Sequence, residues 1–431
     1  MRTSKGVAVV LLLLKWATSG SSGQTLTTLY QFGSSISNGI ALDGSIPEGA
    51  LVQGSDSNFY GTTHDGGTYG WGTIFRISPS GSYTTLYSFA NSSADGANPL
   101  AGLVLGRDGN FYGTTLGVRT NVSHGTGLSG NGAVFRISPS GSLTNLHFFD
   151  FSDGSNPNTG LIQGSDGNFY GTTYGGGMNA YGTVFKINPS GSFTSLYSFV
   201  GYPTDGERPW KLAQGTDGSL YGTTYVGGSN YAGTVFAISP SGTYTSLYSF
   251  IGYPKDGYLP DAGLVQGSDG NFYGTTYEGG TNGYGTVFRI SPAGKETIIH
   301  SFAAIPGDGY QPSAELVQGS DGNLYGTTTA GTVFWISLAG SFSISILSAV
   351  VSIRNGWCRV ATVIYTGQLR MAGQARIVVA DAVQCSASLS LQVLHPTQSI
   401  KLPTSNSRQL TLSSTSSPSQ ARPINCSLRP T

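Results

Sequence analysis

Short apolar runs alternate with turn-forming clusters along most of this chain, and one stretch carries the whole pattern. Residues 160–163 are an apolar run that closes on Gly164-Ser165-Asp166-Gly167, residues that tolerate the positive φ of a tight hairpin. Residues 168–173 form a second run, followed by the Gly-rich stretch 174–181. Residues 182–187 alternate small, apolar and polar side chains and stop at Asn188-Pro189-Ser190-Gly191, another turn signal. Residues 192–199 make a fourth run. The pattern predicts four short antiparallel strands, with both tight hairpins at one end and a longer loop plus the onward connection at the other.

That unit recurs. The stretch Gln163-Gly164-Ser165-Asp166-Gly167-Asn168-Phe169-Tyr170-Gly171-Thr172-Thr173 has counterparts that place a Tyr at 60, 112, 170, 221, 273 and 325, in steps of 52, 58, 51, 52 and 52 residues. Units of this length cannot bury a core alone and are expected to stack on their neighbours, so the chain reads as all-β, a six-bladed β-propeller of four-stranded blades. Thr28-Leu29-Tyr30-Gln31-Phe32 copies the fourth strand, as in Ser195-Leu196-Tyr197-Ser198-Phe199 and Ser246-Leu247-Tyr248-Ser249-Phe250. An N-terminal fourth strand is expected to complete the last blade and leave no open edge. The second unit carries an insertion over 116–131, while the sixth has 9 positions from Tyr325 to Phe334 where the third has 15 from Tyr170 to Phe185.

Outside the repeats the pattern changes. Residues 1–23 carry Arg2 and Lys5, a short apolar run and then small residues, which reads as a secretory signal peptide too short to span a bilayer. The propeller is assigned to 24–345. Residues 346–394 still contain strand-like runs but no repeat motif, and fit a small β-domain, a decayed seventh blade or out-of-frame sequence. Residues 395–431 are rich in Ser, Thr and Pro and read as a solvated tail. Cys358, Cys385 and Cys426 all follow the repeats, so the repeat body needs no disulfide. Acidic and basic residues balance at 21 each, which leaves no excess charge to hold a phosphate backbone and argues against nucleic acid as a partner.

The run Ala262-Gly263-Leu264-Val265-Gln266-Gly267-Ser268-Asp269-Gly270-Asn271-Phe272-Tyr273-Gly274-Thr275-Thr276, continued by Gly285-Thr286-Val287-Phe288 and Ser291-Pro292, resembles the choice-of-anchor tandem repeat GloVer-containing proteins over roughly residues 26 to 345. The resemblance implies a bacterial surface or secreted protein with no established activity. The family's usual C-terminal anchor is not evident in this sequence. Asp-Gly-Asn-Leu-Tyr at 321–325 is also similar to the strand signature of NHL-type propellers, and the Gly-Gly doublets to kelch blades, at the level of fold alone.

Two sets of residues at the loop end carry candidate chemistry. Asp43, Asp95, Asp153, Asp205, Asp256 and Asp308 each open an Asp-Gly-x-x-Pro segment before a first strand, and a ring of carboxylates could take Ca²⁺ through oxygen ligands. The local alternative is turn chemistry, in which each carboxylate accepts backbone N–H bonds. Trp71, Tyr174, Tyr181, Tyr225, Tyr231, Tyr277 and Tyr284 flank the Gly-rich loops, and Trp210 sits in a connection with Tyr202, Tyr253, Tyr258 and Tyr310. Rings of this kind beside Asn179, Asn230 and Asn282 suit stacking on sugars and hydrogen bonding to their hydroxyls. They equally suit filling the wedges between blades. His64, His124, His147, His300 and His395 fall at unrelated repeat positions, and the chain has no zinc-protease, P-loop or dinucleotide motif.

The sequence therefore points to a secreted or cell-surface repeat protein acting as a non-catalytic binding or scaffolding module. Its expected partner is an extracellular glycan or a surface protein, with no cofactor apart from the Ca²⁺ option, no transmembrane span and a monomeric state. A glycoside hydrolase or lyase on the same ring would require carboxylates with raised pKa and no equivalent in sister units. A purely structural surface protein would have no pocket at the loop end.

Overall fold

The structure, a computed structural model, describes residues 29–92, 95–117, 131–305 and 308–345. The expected signal peptide, most of the second unit's insertion, the three cysteines, the 346–394 segment and the tail all lie outside the described residues. Those described contain no helix and form six main antiparallel sheets, one per repeat. In the third unit the strands are Ile162–Gln163, Phe169–Thr173, Thr183–Ile187 and Phe193–Ser198, in sheet order one to four. The strand positions follow the sequence pattern. The first strand is shorter than the apolar run, because only Ile162 and Gln163 pair with Tyr170 and Phe169.

The second strand is the most buried element of each complete unit. All five residues of Phe169–Thr173 are buried, so both faces of the sheet are covered by protein and the strand is apolar without clean alternation. Successive side chains point to opposite faces. Phe169 turns to the preceding unit, where it stacks on Tyr112 at 3.9 Å, and Tyr170 turns to the following one, among Leu212, Leu220 and Phe236. Tyr60 on Phe111 and Tyr221 on Phe272 repeat the stack at 4.0 Å each. Gly171 follows Tyr170 because a Cβ there would lie 2.5 Å from the Phe185 ring and 2.7 Å from Leu161. The absent side chain lets the third strand's Phe lie across the sheet.

A second column of rings runs through the fourth strands. His147 stacks on Phe193 at 3.8 Å, Tyr197 on Tyr244 at 4.2 Å and His300 on Phe342 at 3.6 Å. Each pair joins one unit to the next. The hydrophobic clusters likewise each combine residues of two consecutive units, so the core is a series of sheet-to-sheet interfaces.

The sixth sheet differs from the sequence expectation. Its four strands are Val317–Gln318, Leu324–Thr327, Val333–Ile336 and Phe342–Ser345, so its fourth position is filled by its own unit. Residues 29–33 belong to no strand. Tyr30 instead stacks on Tyr83 at 4.2 Å and Phe32 meets Phe75 edge-on at 5.0 Å. Tyr197 and Phe199 take the same seat against Tyr244 and Phe236 of the fourth unit. Residues 342–345 lack the Leu-Tyr-Ser-Phe signature, which is why the pattern did not mark them as a fourth strand.

Short ladders at the loop end also went unpredicted. Gly206–Pro209 pairs with Leu220–Gly227, and Gly257–Tyr258 with Glu278–Gly279, tying each Asp-Gly-x-x-Pro segment to the loop after the second strand.

Glu296 breaks the fourth-strand column, standing where Tyr83, Phe193, Tyr244 and Phe342 stand in other units. Burial, followed by the negative charge of Asp256, pushes its carboxyl up to about 7, and its Oε1 is buried with no hydrogen-bond partner. Folded Glu296 thus binds its proton more tightly than the unfolded residue. The associated destabilisation is present above that pH and fades as pH falls through about 7. Glu296→Phe is expected to stabilise the protein by about 1 kcal/mol at pH 8 by replacing an unsatisfied carboxyl with a ring. Denaturant unfolding of both chains at pH 8 and pH 5.5 checks it, with the difference shrinking at the lower pH.

Candidate functional site

The two ends of the sheets are built differently. At the hairpin end, Tyr170 donates to Asp166 at 2.7 Å and the Asn168 backbone N–H donates to the same carboxylate at 3.1 Å. Gln214 of the following unit accepts from the Ser165 N–H at 2.9 Å. These contacts recur from unit to unit, as at Tyr60 to Asp56 and at Thr216 to Gln266.

At the loop end each Asp of the Asp-Gly-x-x-Pro segments is taken up by a local latch. Asp205 accepts from the Tyr197 hydroxyl, from Val200 N–H at 2.9 Å and from Gly201 N–H at 2.7 Å. Asp256 accepts from Tyr248 at 2.8 Å, Asp95 from Tyr87 at 3.1 Å and Asp43 from Tyr30 at 2.8 Å. Asp153 and Asp308 lie against His147 and His300 at 2.7 and 2.8 Å. Burial lowers the pKa of His300 despite the adjacent carboxylate. All but half-buried Asp153 are buried. Among the described residues no three His, Cys, Asp or Glu side chains gather as a metal-holding group. The latch follows from burial, since a carboxylate removed from water must find hydrogen-bond donors nearby.

The aromatic residues separate into two rows. Trp71, Tyr181, Tyr231 and Tyr284 form an outer row beside the connections between units. Tyr181, Tyr231 and Tyr284 are exposed, whereas Trp71 packs on the core of the first two units. Tyr231 meets Tyr202 edge-on at 5.9 Å. Between the loops of the fourth and fifth units lies an open cleft of about 610 Å³, lined by Asn230, Ile251, Tyr253, Tyr258, Glu278, Asn282 and Tyr284 among others. Three rings and two amides from separate loops therefore share one concavity. Tyr253 is 64 % exposed, so its ring is presented to solvent.

A second group of rings belongs to the third, fourth and fifth units. Tyr174 and Tyr277 follow the second strand of their units, Tyr225 lies within the longer second strand Leu220–Gly227, and Trp210 meets Tyr225 edge-on at 6.4 Å. Arg208 lies over the Tyr174 ring, 5.3 Å from its centre. Tyr225 is held above its ordinary pKa first by burial and then by the charge of Asp261, with Tyr174, Glu278 and Tyr277 also within electrostatic reach. Asp261 accepts no hydrogen bond and meets no cation among the described residues, and burial alone pushes its carboxyl up to about 6. The indole N–H of Trp210 and Oδ1 of Asn158 are buried without partners. Lys211 reaches Glu315 of the sixth unit at 2.7 Å, passing Gly263 of the fifth.

Asp261, Arg208 and Glu278 carry no repeat signature in the sequence. The signal was a position that does not repeat: the residue after the Pro of Asp-Gly-x-x-Pro is Glu48, Leu100, Asn158, Trp210, Asp261 and Ser313 in turn.

Repeated four-stranded antiparallel sheets packed face to face, with a conserved-type hairpin end and a variable loop end, define an all-β, β-propeller-like repeat protein. The chain belongs to the Gloeobacter/Verrucomicrobia repeat family, whose model matches residues 12–126 and 117–342. No curated protein matches the sequence. Among solved structures it is similar to PorZ, a surface component of the type-IX secretion system of Porphyromonas gingivalis, at 13 % identity and a TM-score of 0.45, over 76 % of this chain and 46 % of that one. The chain thus spans just under half of PorZ. A structure assigned as a gluconolactonase matches at 17 % identity and a TM-score of 0.38, over 70 % of this chain and 89 % of that one. A luciferin-regenerating enzyme matches at 12 % identity and 0.39, over 81 % and 95 %.

The folded carboxyl of Asp261 near 6 against an ordinary 3.8 means that its ionisation destabilises the fold at neutral pH. Asp261→Asn is expected to raise stability at pH 7.5 by on the order of 1–2 kcal/mol, allowing for partial solvent access. The gain fades as pH falls from about 6 towards 3.8. Thermal midpoints of the two chains at pH 7.5 and pH 4.5 measure it.

Proposed function

We propose that the protein is a secreted six-bladed β-propeller whose loop end acts as a non-catalytic binding module for an extracellular glycan. The observation that carries this reading is the cleft of about 610 Å³ in which Tyr253, Tyr258 and Tyr284 stand beside the amides of Asn230 and Asn282. Flat apolar faces next to paired donors and acceptors match the alternation of C–H faces and hydroxyls on a sugar ring. A concavity at this end also weighs against a purely structural surface protein. The ring arrangement draws support from Tyr30 and Phe32, which seat against the first sheet as a preceding unit's fourth strand would. Secretion rests on the character of residues 1–23.

A second reading, a glycoside hydrolase or lyase, is favoured by one observation. Asp261 is a carboxyl with a raised pKa at a position where only the first unit repeats a carboxyl, as Glu48.

The test is the thermal midpoint of the full chain against an oligosaccharide panel. A specific sugar at a hundredfold excess over its Kd is expected to add about 2.7 kcal/mol of stability. Tyr253→Ala and Tyr284→Ala should remove the rise while leaving the sugar-free midpoint within about 0.5 kcal/mol of the parent, since both rings are exposed. No rise with any sugar would sink the glycan reading. Release of new reducing ends from a bound oligosaccharide, lost in Asp261→Asn, would establish the enzyme instead.

A further inference from the structure

We propose that the cleft between the fourth and fifth units takes a sugar free of acid groups, with Ala232 making room for it and Glu278 receiving its hydroxyls while turning acidic sugars away. The identity of the ligand as a glycan rests on the function proposed above. The selectivity rests on how this junction between units departs from the one before it.

The opening has a local cause. The Gly-rich loops of the third, fourth and fifth units run Asn179-Ala180-Tyr181, Asn230-Tyr231-Ala232 and Asn282-Gly283-Tyr284. The middle residue of each takes positive φ, at 65° for Ala180, 57° for Tyr231 and 81° for Gly283, so the three loops are in register. The fourth unit has therefore exchanged the order of its ring and its small residue. At the junction of the third and fourth units Tyr181 lies on the connection, where a Cβ added to Gly201 would stand 2.7 Å from its ring. At the next junction Gly252 holds the place of Gly201, and Ala232 that of Tyr181. A Cβ added to Gly252 would meet only Tyr258 at 3.6 Å and the Ala232 Cβ at 3.9 Å. Tyr231 meets Tyr202 edge-on instead. The space that a ring takes at one junction is left open at the other, and Ala232 lines the cleft found there.

The carboxyl groups of the two junctions also differ. At the earlier one Glu207 pairs with Val226 in the short ladder, is buried, and accepts the Tyr202 N–H at 3.1 Å. At the later one Tyr258 holds the place of Glu207, and Glu278 that of Val226. Glu278 is half-buried and lines the cleft. Among the described residues its carboxylate has no ion pair and accepts no hydrogen bond. Asp65, at the same place in the first unit, is engaged by His64 at 2.8 Å.

The free polar atoms of the cleft favour a ligand that donates. An unengaged carboxylate offers two acceptor oxygens, which suit neighbouring hydroxyls on a sugar ring. Asn230 commits its N–H donors to the Ser229 hydroxyl at 3.0 Å and the Phe250 carbonyl at 3.4 Å, which leaves its oxygen as an acceptor. A sugar hydroxyl can donate to these oxygens, whereas an ionised carboxylate or sulfate cannot. The acidic group would also be repelled by Glu278, and no Lys or Arg lines the cleft to offset that. Lys255, on the same connection, is exposed outside it.

Calorimetric titration of the full chain at pH 7.5 tests the proposal with tetramers of glucose, mannose and galactose, each beside the tetramer of its uronic acid. The expected result is that at least one neutral tetramer binds, and does so about tenfold or more tighter than its acidic counterpart. Glu278→Gln should narrow that ratio about fivefold or more, because it removes the charge and keeps the shape. Tyr231→Ala combined with Ala232→Tyr gives the fourth loop the order that the third unit already accommodates, and should abolish binding of the neutral tetramer. The thermal midpoint of this double variant checks that it folds. Acidic tetramers that bind as tightly as the neutral ones, or tighter, overturn the proposal while the glycan reading stands. A ratio unchanged in Glu278→Gln overturns the role of that carboxylate, and full binding by the folded double variant overturns the placement in this cleft. Absence of binding by all six tetramers overturns the proposal and the glycan reading together.

Discussion

Each of the second to fifth units must be apolar on both faces of its sheet, because that sheet is packed between two neighbours. That requirement governs the central motif. Phe169 reaches back to Tyr112 while Tyr170 reaches forward to Leu220, and Gly171 has no side chain because the Phe185 ring fills the space it would need. The fourth-strand column of His147 on Phe193 and Tyr197 on Tyr244 repeats the same logic at the other edge of the sheet. Stacked rings between sheets combine large buried area with a fixed offset geometry, so they set the spacing and the orientation of neighbours together. A unit removed from this series would expose its second strand on both sides.

The scaffold uses most of the polar residues that repeat. The hairpin Asp166 is occupied by Tyr170 and Asn168, and the loop-end Asp205 by Tyr197 and two backbone amides. Buried Thr pairs such as Thr173 with Thr183, at 2.9 Å, satisfy each other inside the sheet. A group already holding its hydrogen-bond partners has little left to offer a ligand. Positions where the repeat lapses are the ones that keep such groups free.

Two buried carboxyls illustrate how a lapse differs with its location. Glu296 interrupts a ring column in the packed interface, where its charge has no compensating contact and only weakens the stack. Asp261 lapses within electrostatic reach of Tyr225, where burial likewise raises its carboxyl. Beside it the Lys211–Glu315 pair joins the fourth unit to the sixth across Gly263.

The sequence by itself determined the repeat, the four strands of each unit and the separation of a uniform end from a variable one. These are local properties, set by hydrophobic period and turn chemistry, and the strand Phe169–Thr173 falls within a residue of where the pattern put it. It also supplied the rings and amides of Tyr253, Tyr258, Tyr284, Asn230 and Asn282 as residues of one end, without saying which of them meet. Only the tertiary structure decided that these five share a cleft, that Asp205 and its sisters are latches, and that the sixth sheet completes itself with Phe342–Ser345. It alone brought Asp261 beside Tyr225, which lies 36 positions earlier in the chain. The physical reason is that contacts between units depend on how sheets pack and turn about their axis, and a repeat in sequence carries the spacing of strands but not the distance between their neighbours' loops.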